Sequence, residues 1–215
     1  MIKADLHIHT AYSIDCTMPL EQIISRCLEV GINCLGVTDH NTIAGALKLK
    51  EMAPFSIIVG EEILTLDGEV IGFFLKQEIS SKLSIEETVA QIKAQNGLVC
   101  IPHPYDRLRL SVFRDQIFED IMPEVDIIEI FNARSLSPGS SIKATKLAQK
   151  YGKLASAGSD AHTLPEIGNA YVEMPEFNDK NDFLASLAKG KISGNKSNPT
   201  AHLVSTWNRL KKRLS

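Results

Sequence analysis

The sequence predicts an α/β fold in which strands and helices alternate around a barrel. Apolar runs of strand length alternate along the chain with longer segments of helical periodicity, and this order indicates a parallel sheet or barrel. Histidine and carboxylate motifs follow the apolar runs, and a barrel would bring them together because its strand C-termini open on one face. The number of runs fits an irregular barrel of about seven strands better than eight complete strand–helix units.

Turn and capping residues bound the elements in the first half of the chain. Pro19 can open a helix that Gly31 ends, and Asn41 can cap the next helix. Asp67-Gly68 is the strongest hairpin turn signal. The expected strands are Ile2–His9, Cys34–Thr38, Ser56–Gly60 and Ile63–Leu75 with its hairpin turn, and the expected helices are 19–30, 41–50 and 84–95, the last with a Ser84/Glu87 capping box.

The second half continues the same alternation. The expected strands are Leu98–Ile101, Val125–Phe131, Leu154–Ala157 and Ala170–Met174, and the expected helices are Val112–Ile121, Pro138–Tyr151 and Asp182–Lys189. Gly190–Thr200 is rich in Gly, Ser, Asn and Lys and is expected to be a loop. No repeat or domain boundary is visible, so a single domain over residues 1–215 is expected, in which 190–215 form a basic loop and a C-terminal helix.

Composition predicts a soluble, cytoplasmic protein. The net charge is −3 and the apolar fraction 44%, so the whole molecule is not an obvious nucleic-acid binder. No apolar run is long enough to span a membrane, and the first residues lack the apolar core of a signal peptide. The four cysteines have no paired spacing and are expected to be reduced and mostly buried, with Cys16 beside Asp15 as an alternative zinc ligand.

Two motifs far apart in the chain predict a shared metal site. His7 and His9 are two residues apart on a strand, so both side chains point to one face and can bind the same ion. Asp160-Ala161-His162 repeats this spacing after another apolar run. Imidazole together with carboxylate suits zinc, manganese or iron, and the lack of paired cysteine ligands favours hydrolysis over a structural zinc finger.

Three further motifs supply candidate ligands. His103 lies between two prolines that restrict the backbone and fix the direction of its side chain. Glu62, at the end of the third expected strand, could bridge two ions through its two oxygens. Glu61 points the opposite way and is expected to be structural or to support a metal ligand. His40 follows Asp39, whose carboxylate is expected to cap a helix or to orient a histidine.

The combination of DLHIHT, GVTDHNT, EE, PHP and GSDAH resembles the polymerase and histidinol phosphatase (PHP) family over residues 5–174. The resemblance implies a distorted (βα)7 barrel with two or three divalent ions, of zinc, manganese or iron, at the strand C-terminal ends. It implies that His7, His9, Glu62 and Asp160 bind the inner ions, with Glu62 bridging, that His103 binds the second ion, and that Asp15, His40 and His162 bind a third.

Two positions just after the expected strand Val125–Phe131, one of which departs from the family, bear on metal and phosphate binding. Many members carry His or Cys where this chain has Asn132, whose amide oxygen is a weak metal ligand. Arg134 is expected to bind a substrate phosphate through two N–H groups, with a surface arginine on a loop as the alternative. Arg107 and Arg109 are weaker candidates of the same kind.

These observations predict a metal-dependent phosphoesterase, a phosphoric ester hydrolase. A bridging water, its pKa lowered towards about 7, would supply hydroxide to attack a small phosphomonoester or a nucleotide or oligonucleotide phosphate. Arg134, Asp160 and His162 are the expected catalytic residues. Histidinol-phosphate phosphatase is an alternative within the enzyme class, and a non-catalytic metal-binding accessory domain is an alternative from another class.

The C-terminal segment has its own charge pattern. After Asp182 there are seven basic residues and no acidic one. The apolar residues at helical spacing are Leu203, Trp207, Leu210 and Leu214. The pattern predicts a docked C-terminal helix with a solvated basic face, and the alternative is a contact with nucleic acid or an acidic partner. His202 is expected to be an ordinary solvated residue, and the oligomeric state is not predicted.

Overall fold

A computed structural model describes residues 1–106 and 119–214 and shows one nine-stranded sheet with helices packed against it. The strands are β1 (Ile2–Ile8), β2 (Cys34–Val37), β3 (Ser56–Leu64), β4 (Glu69–Phe73), β5 (Leu98–Ile101), β6 (Ile127–Asn132), β7 (Leu154–Gly158), β8 (Ala170–Met174) and β9 (Lys191–Gly194). The α-helices are α1 (Leu20–Val30), α2 (Ala44–Met52), α3 (Ile85–Ala94), α4 (Ser140–Tyr151), α5 (Lys180–Leu187) and α6 (Ala201–Leu214). The strand order is β7-β6-β5-β4-β3-β2-β1-β8-β9.

The sheet curls into a nearly closed barrel because the segment after β7 returns to β1. Ile8 forms a parallel bridge with Ala161, and the Asp160 N–H donates to the His7 carbonyl oxygen at 2.7 Å. β8 pairs with the start of β1 and carries β9 on its other edge, outside this closure. The predicted barrel is confirmed, with β1–β7 around it and a β8–β9 extension that brings the sheet to nine strands.

The barrel is distorted because β4 runs antiparallel to both of its neighbours. β3 and β4 form the hairpin predicted at Asp67-Gly68, where the Thr65 N–H donates to the Gly68 carbonyl oxygen at 2.8 Å. β3 does not end at Gly60 as expected, since its pairing with β4 continues to Leu64. Glu62 therefore lies within a paired strand rather than at a strand end.

Two other sequence expectations are wrong. Asn41 does not cap α2, which begins after Ile43; its Oδ1 instead accepts a hydrogen bond from the Leu64 N–H at 3.0 Å. The expected loop Gly190–Thr200 contains β9, because antiparallel pairing with β8 satisfies the backbone of that segment despite its loop-like composition. The Ser84/Glu87 capping box of α3 is confirmed.

Two expectations fall outside the described residues. The expected helix Val112–Ile121 is described only over 119–121, which are helical. Arg107 and Arg109, the weaker phosphate-binding candidates, are also outside the described ranges.

An irregularity in β1 determines which side chains face the site. The register between β1 and β2 shifts between Asp5 and Ile8. Leu6 packs in an apolar cluster with other strand residues and Phe183, whereas Ile8 packs in the cluster beneath α1 and α2. Because side chains alternate along a strand, this shift turns His7 and the following His9 to the side that Leu6 occupies.

Candidate metal centre

Histidine and carboxylate side chains from β1, β3 and the loops after β1, β2, β5 and β7 meet in one cluster. They are His7, His9, Asp15, His40, Glu62, His103, Asp160 and His162. The ligand atoms form overlapping groups within which every pair lies within 4.8 Å, and one group adds Glu69. Seven of the eight are buried and His40 is half-buried. The barrel therefore brings together residues that are more than 150 positions apart, and solvent is largely excluded from them.

Glu62 lies at the centre of the inner part of the cluster. Its Oε2 is 3.4 Å from His7 Nε2 and 3.5 Å from His9 Nε2, and its Oε1 is 2.9 Å from His103 Nε2. Asp160 Oδ1 is 3.6 Å from His7 Nε2 and 3.3 Å from His9 Nε2. Glu62 thus has one oxygen directed at each of two histidine groups, as a bridging carboxylate requires.

A second group lies beside His9. Asp15 Oδ2 is 3.2 Å from His40 Nε2, and Asp15 Oδ1 is 3.2 Å from His162 Nε2. The His9 ring centroid is 4.1 Å from that of His162 and 4.7 Å from that of His40. His40 Nδ1 also lies 3.3 Å from Glu62 Oε2, so the second group is continuous with the first.

Local backbone geometry helps to place these side chains. His103 and Asp160 have φ values of 30° and 56°, a region that non-glycine residues rarely adopt. Such conformations cost about 1–3 kcal/mol and persist where surrounding contacts fix them. The His103 N–H donates to Glu129 Oε2 at 2.8 Å. Gly158 has to lack a side chain, because an added Cβ would overlap the Cβ of His7.

Glu129 contacts the cluster and was not predicted as a site residue from the sequence. Its Oε1 lies 3.0 Å from His7 Nδ1, and its Oε2 accepts from the His103 N–H and from Asn132 Nδ2. A signal was present, since an acidic residue inside the apolar run that became β6 is buried and needs donors. Glu129 thereby orients two members of the cluster, His7 and His103.

The other carboxylates of the motifs support loops. The expectation that Asp39 caps a helix or orients a histidine is wrong. Its two carboxylate oxygens instead accept hydrogen bonds from the Thr10 N–H and Oγ1, each at 2.6 Å. This contact ties the end of β2 to the end of β1. Glu61 accepts from the Ile79 N–H at 2.9 Å, which is the structural role expected for it.

Burial and neighbouring charge move the pKa values of the cluster in opposite directions. Burial lowers the pKa of His7, but nearby carboxylates, Glu129 foremost, raise it well above its ordinary value. Burial and then the adjacent His162 lower the pKa of His9 to about 3. Burial raises the pKa of Glu62, but the surrounding histidines, His7 first, hold it well below its ordinary value. The cluster thus favours a neutral His9 beside an ionised Glu62, both in the form that binds a cation, whereas the raised pKa of His7 favours a proton that a bound metal would have to displace.

Unmatched polar atoms show that the residues present fit divalent ions. Within the described ranges, His7 Nε2, both ring nitrogens of His9 and Glu62 Oε2 have no hydrogen-bond partner. Burying such atoms costs free energy unless they are paired or ligated. Imidazole nitrogen and carboxylate oxygen are ligands that zinc, manganese and iron accept.

Asn132 takes part in hydrogen bonds at the edge of the cluster. Its Nδ2 donates to Glu129 Oε2 at 3.0 Å and to Asp160 Oδ2 at 3.3 Å, and its Oδ1 accepts from the Arg134 N–H at 3.0 Å. The amide therefore orients two carboxylates. Its expected role as a metal ligand stays a prediction.

Cys16 is a buried thiol rather than a member of the candidate ligand groups. Its Sγ lies 3.5 Å from the carbonyl oxygens of His9 and His162, to which it donates. Burial raises the pKa of the thiol to about 12, and the thiol donates to backbone carbonyl oxygens instead of joining the candidate ligand groups. All four cysteines are free and buried, as expected.

Arg134 is buried, so the alternative of a surface arginine is wrong. Its Nη2 donates to Ser205 Oγ at 2.8 Å, its Nη1 to the Asp160 carbonyl oxygen at 3.5 Å, and its Nε lies 3.5 Å from Glu166 Oε1. The guanidinium therefore links the loop after β6 to the cluster and to α6. The expected contact with a substrate phosphate stays a prediction.

The C-terminal helix α6 packs over the cluster through polar residues. Arg209 Nη2 lies 2.6 Å from Asp15 Oδ2, and Lys212 Nζ donates to three backbone carbonyl oxygens between residues 11 and 16. The apolar residues that the sequence places at helical spacing, Leu203, Trp207, Leu210 and Leu214, are exposed at 51% to 89%. The docked helix is present as predicted, but the expectation of a solvated basic face is wrong for Arg209 and Lys212.

The start of α6 also contacts the protein. His202 is half-buried, and its Nε2 lies 2.9 Å from the Arg134 carbonyl oxygen, so His202 is not the solvated residue that was expected. Neither α6 nor any other helix in the described part of the chain combines the length and apolarity needed to cross a membrane.

Comparison with protein families and sequences gives consistent matches. Residues 5–101 match the model of the PHP domain, and residues 142–192 match the model of the PHP-associated region. An uncharacterized protein of Methanocaldococcus jannaschii is 34% identical over 181 residues, which cover 82% of this chain and 72% of that protein.

Solved structures with a similar fold include a two-domain protein of Bacteroides vulgatus that contains a predicted PHP-like metal-dependent phosphoesterase. Its TM-score is 0.72 at 15% identity, over 90% of this chain and 65% of that one. The lesion-specific endonuclease PfuEndoQ of Pyrococcus furiosus has a TM-score of 0.60 at 16% identity, over 92% of this chain and 59% of that one. At these identities the similarity shows the fold alone.

Proposed function

The chain belongs to the PHP family, and from this premise we propose that it is a metal-dependent phosphoesterase. The observation that carries the proposal is that three histidines and two carboxylates meet in a buried cluster. Several of the atoms that face one another there have no hydrogen-bond partner in the described part of the chain. These residues are His7, His9, Glu62, His103 and Asp160. A cluster of this kind is costly in a metal-free protein, and divalent ions would satisfy it.

Two or three ions of zinc, manganese or iron are proposed. The inner ions would be held by His7, His9, Glu62, His103 and Asp160, and a third by Asp15, His40 and His162. When bound, such ions polarise phosphoryl oxygens and lower the pKa of water towards about 7.

The protein's own contribution is to orient the ligands in advance. Glu129 holds His7 Nδ1 at 3.0 Å, which directs Nε2 to the cluster. The Asp160 carbonyl oxygen accepts from His162 Nδ1 at 2.8 Å, which directs His162 Nε2 towards Asp15. Each hydrogen bond selects one tautomer of the imidazole. Asp160 and His162 are the proposed catalytic residues because they connect the two groups of ligands.

The proposed substrate is a phosphorylated small molecule, a nucleotide or the phosphate of a nucleic-acid end. The Bacteroides vulgatus protein with its predicted PHP-like phosphoesterase and the endonuclease of Pyrococcus furiosus have a similar fold, and their names support a phosphate ester of either kind. The basic segment after Asp182 is compatible with a polyanionic substrate.

Metal content and hydrolysis distinguish an enzyme from a non-catalytic metal-binding domain. We expect the purified protein to bind at least two divalent ions and, when loaded with zinc, manganese or iron, to hydrolyse a chromogenic phosphomonoester or a dinucleotide. A chelator should abolish the activity, and adding back the metal should restore it. Stoichiometric metal without turnover of any phosphate ester would instead support the accessory domain.

A further inference from the structure

α6 brings a cationic side chain to the edge of the candidate metal centre from outside the segments that match the family. Those segments end at residue 192, and α6 begins at Ala201. We propose that Arg209 on this helix binds the phosphate group of the substrate. The inference rests on the proposed phosphoesterase function and identifies a binding residue for its substrate.

Arg209 contacts the centre through one of its terminal nitrogens. Its Nη2 lies 2.6 Å from Oδ2 of Asp15, whose oxygens also lie 3.2 Å from His40 and His162. The side chain remains 46% exposed, and the structure gives it no second hydrogen bond to any residue in the described ranges. A guanidinium has five N–H donors in a planar fork, so it can hold a carboxylate on one side and a phosphate oxygen on the other.

The helix is held by contacts that do not involve Arg209. Lys212 Nζ donates to three backbone carbonyl oxygens in residues 11–16, at 2.6 to 2.8 Å. Asn208 Nδ2 donates to the Asp15 carbonyl oxygen at 3.4 Å. Asp15 is buried and also lies 3.2 Å from His40 and His162, so it keeps partners when Arg209 is replaced. Replacing Arg209 should therefore leave α6 in place and remove only the cation that faces the site.

Divalent ions would offset the charge of the cluster carboxylates Asp15, Glu62 and Asp160, so an arginine is needed here for its N–H donors rather than for its charge. A guanidinium binds phosphate oxygens in a fixed planar geometry that ions alone do not provide. Arg134 is buried, and its three guanidinium nitrogens each lie within 3.5 Å of protein acceptors. Arg209 is half-exposed and contacts the outer ligand Asp15 directly. Of these two arginines, Arg209 is the one with donors accessible to a phosphate.

The test compares Arg209→Ala and Arg209→Lys with Lys211→Ala in metal-loaded protein. Lys211 is exposed on the same helix, so its removal deletes the same charge without a contact to Asp15. We expect Arg209→Ala to raise the KM for a phosphomonoester, and the inhibition constant of inorganic phosphate, about 10- to 100-fold, as for a lost charged hydrogen bond. Arg209→Lys should recover part of the loss, and Lys211→Ala should behave as wild type.

Binding of inorganic phosphate gives a readout that does not depend on turnover. Calorimetric titration of inorganic phosphate into the metal-loaded protein should give a saturable signal, and the midpoint should move to higher phosphate concentration in Arg209→Ala but not in Lys211→Ala.

Two outcomes overturn the inference. In the first, Arg209→Ala keeps its metal, its KM and its phosphate midpoint, so Arg209 has no role in binding. In the second, Arg209→Ala loses metal and Arg209→Lys retains it, so the arginine acts by positioning Asp15. Failure of the proposed function has a different signature, because the metal-loaded wild type would then hydrolyse no phosphate ester, and the phosphate titration would still decide the role of Arg209.

Discussion

The metal centre and the C-terminal helix differ in how the sequence encodes their positions. The cluster residues lie in or just after strands of the barrel, so the order of strands and helices is enough to bring them together. α6 has an equally clear helical pattern, but it docks through Arg209 and Lys212 and exposes its apolar residues. The order of strands and helices can be read from local sequence patterns. The face on which α6 docks depends instead on contacts with residues 11–16, almost two hundred positions earlier in the chain.

Substitution of the cluster itself should have the largest effect. Asp160 Oδ1 lies 3.3 Å from His9 Nε2, and its φ of 56° makes Asn, which tolerates this backbone, a better replacement than Ala. We expect Asp160→Asn to lose metal and to lower phosphoesterase kcat/KM on the order of 10³-fold, with an unchanged circular dichroism spectrum. His9→Ala should do the same. Either variant with full metal and full turnover would remove its residue from the site.

The cluster could be predicted from the sequence because the same residues indicate both the metal-binding chemistry and the position at a strand end. His7 and His9 combine ligand chemistry with strand spacing, and Asp160 and His162 repeat the combination after another apolar run. Scarcity helped as well, since five of the six histidines lie in such motifs. The barrel then brings the motifs together at one end even where the expected strand boundaries are off by a few residues.

The parts that could not be predicted depend on contacts between distant segments. Glu129 appeared as one acidic residue in an apolar run, and its partners His7 and His103 lie on other strands. The strand β9 has a loop-like composition and forms because β8 offers it backbone partners. The burial of Arg134 follows from the docking of α6, which places Ser205 against it.

Arg134 connects the two regions, and its replacement should have the next largest effect. Its guanidinium is buried between the Asp160 carbonyl, Glu166 and Ser205 of α6. Arg134→Ala would leave the buried Glu166 without its opposing charge, so we expect the free energy of unfolding to fall by about 3 kcal/mol. Urea unfolding of the wild type, Arg134→Ala and Arg134→Lys measures this loss.

The same variants test the role that the sequence suggested for Arg134. If Arg134→Ala unfolds like the wild type but raises the KM for a phosphate ester, then Arg134 binds substrate and is not a link between the centre and α6. Unfolding and kinetics measured on one metal-replete preparation separate these two roles.

Glu129 extends the comparison to residues that support the centre without facing it, and its effect should be smaller. Glutamine has the same size but has a donor where Glu129 presents an acceptor to His7, His103 and Asn132. We expect Glu129→Gln to weaken zinc binding about 10- to 100-fold, the usual effect of losing a group that orients a ligand. Competition with a chromogenic chelator measures the affinity, with the exposed Glu86→Gln on α3 as the control. Equal zinc affinities for the two variants would contradict this role.

The smallest effect is expected on the exposed face of α6. Trp207 is 68% exposed, so Trp207→Gln, in which Gln is a good helix former, should change the free energy of unfolding by less than about 0.5 kcal/mol.

The matched variant on the docked side of α6 is Lys212→Ala. It removes the donor to three carbonyl oxygens of residues 11–16 and should release the helix, which would be seen as faster proteolysis within α6. The opposite result, with stability lost in Trp207→Gln and kept in Lys212→Ala, would mean that the apolar face docks. Arg209 would then point away from Asp15, and the phosphate-binding role proposed for it would lose its geometric basis.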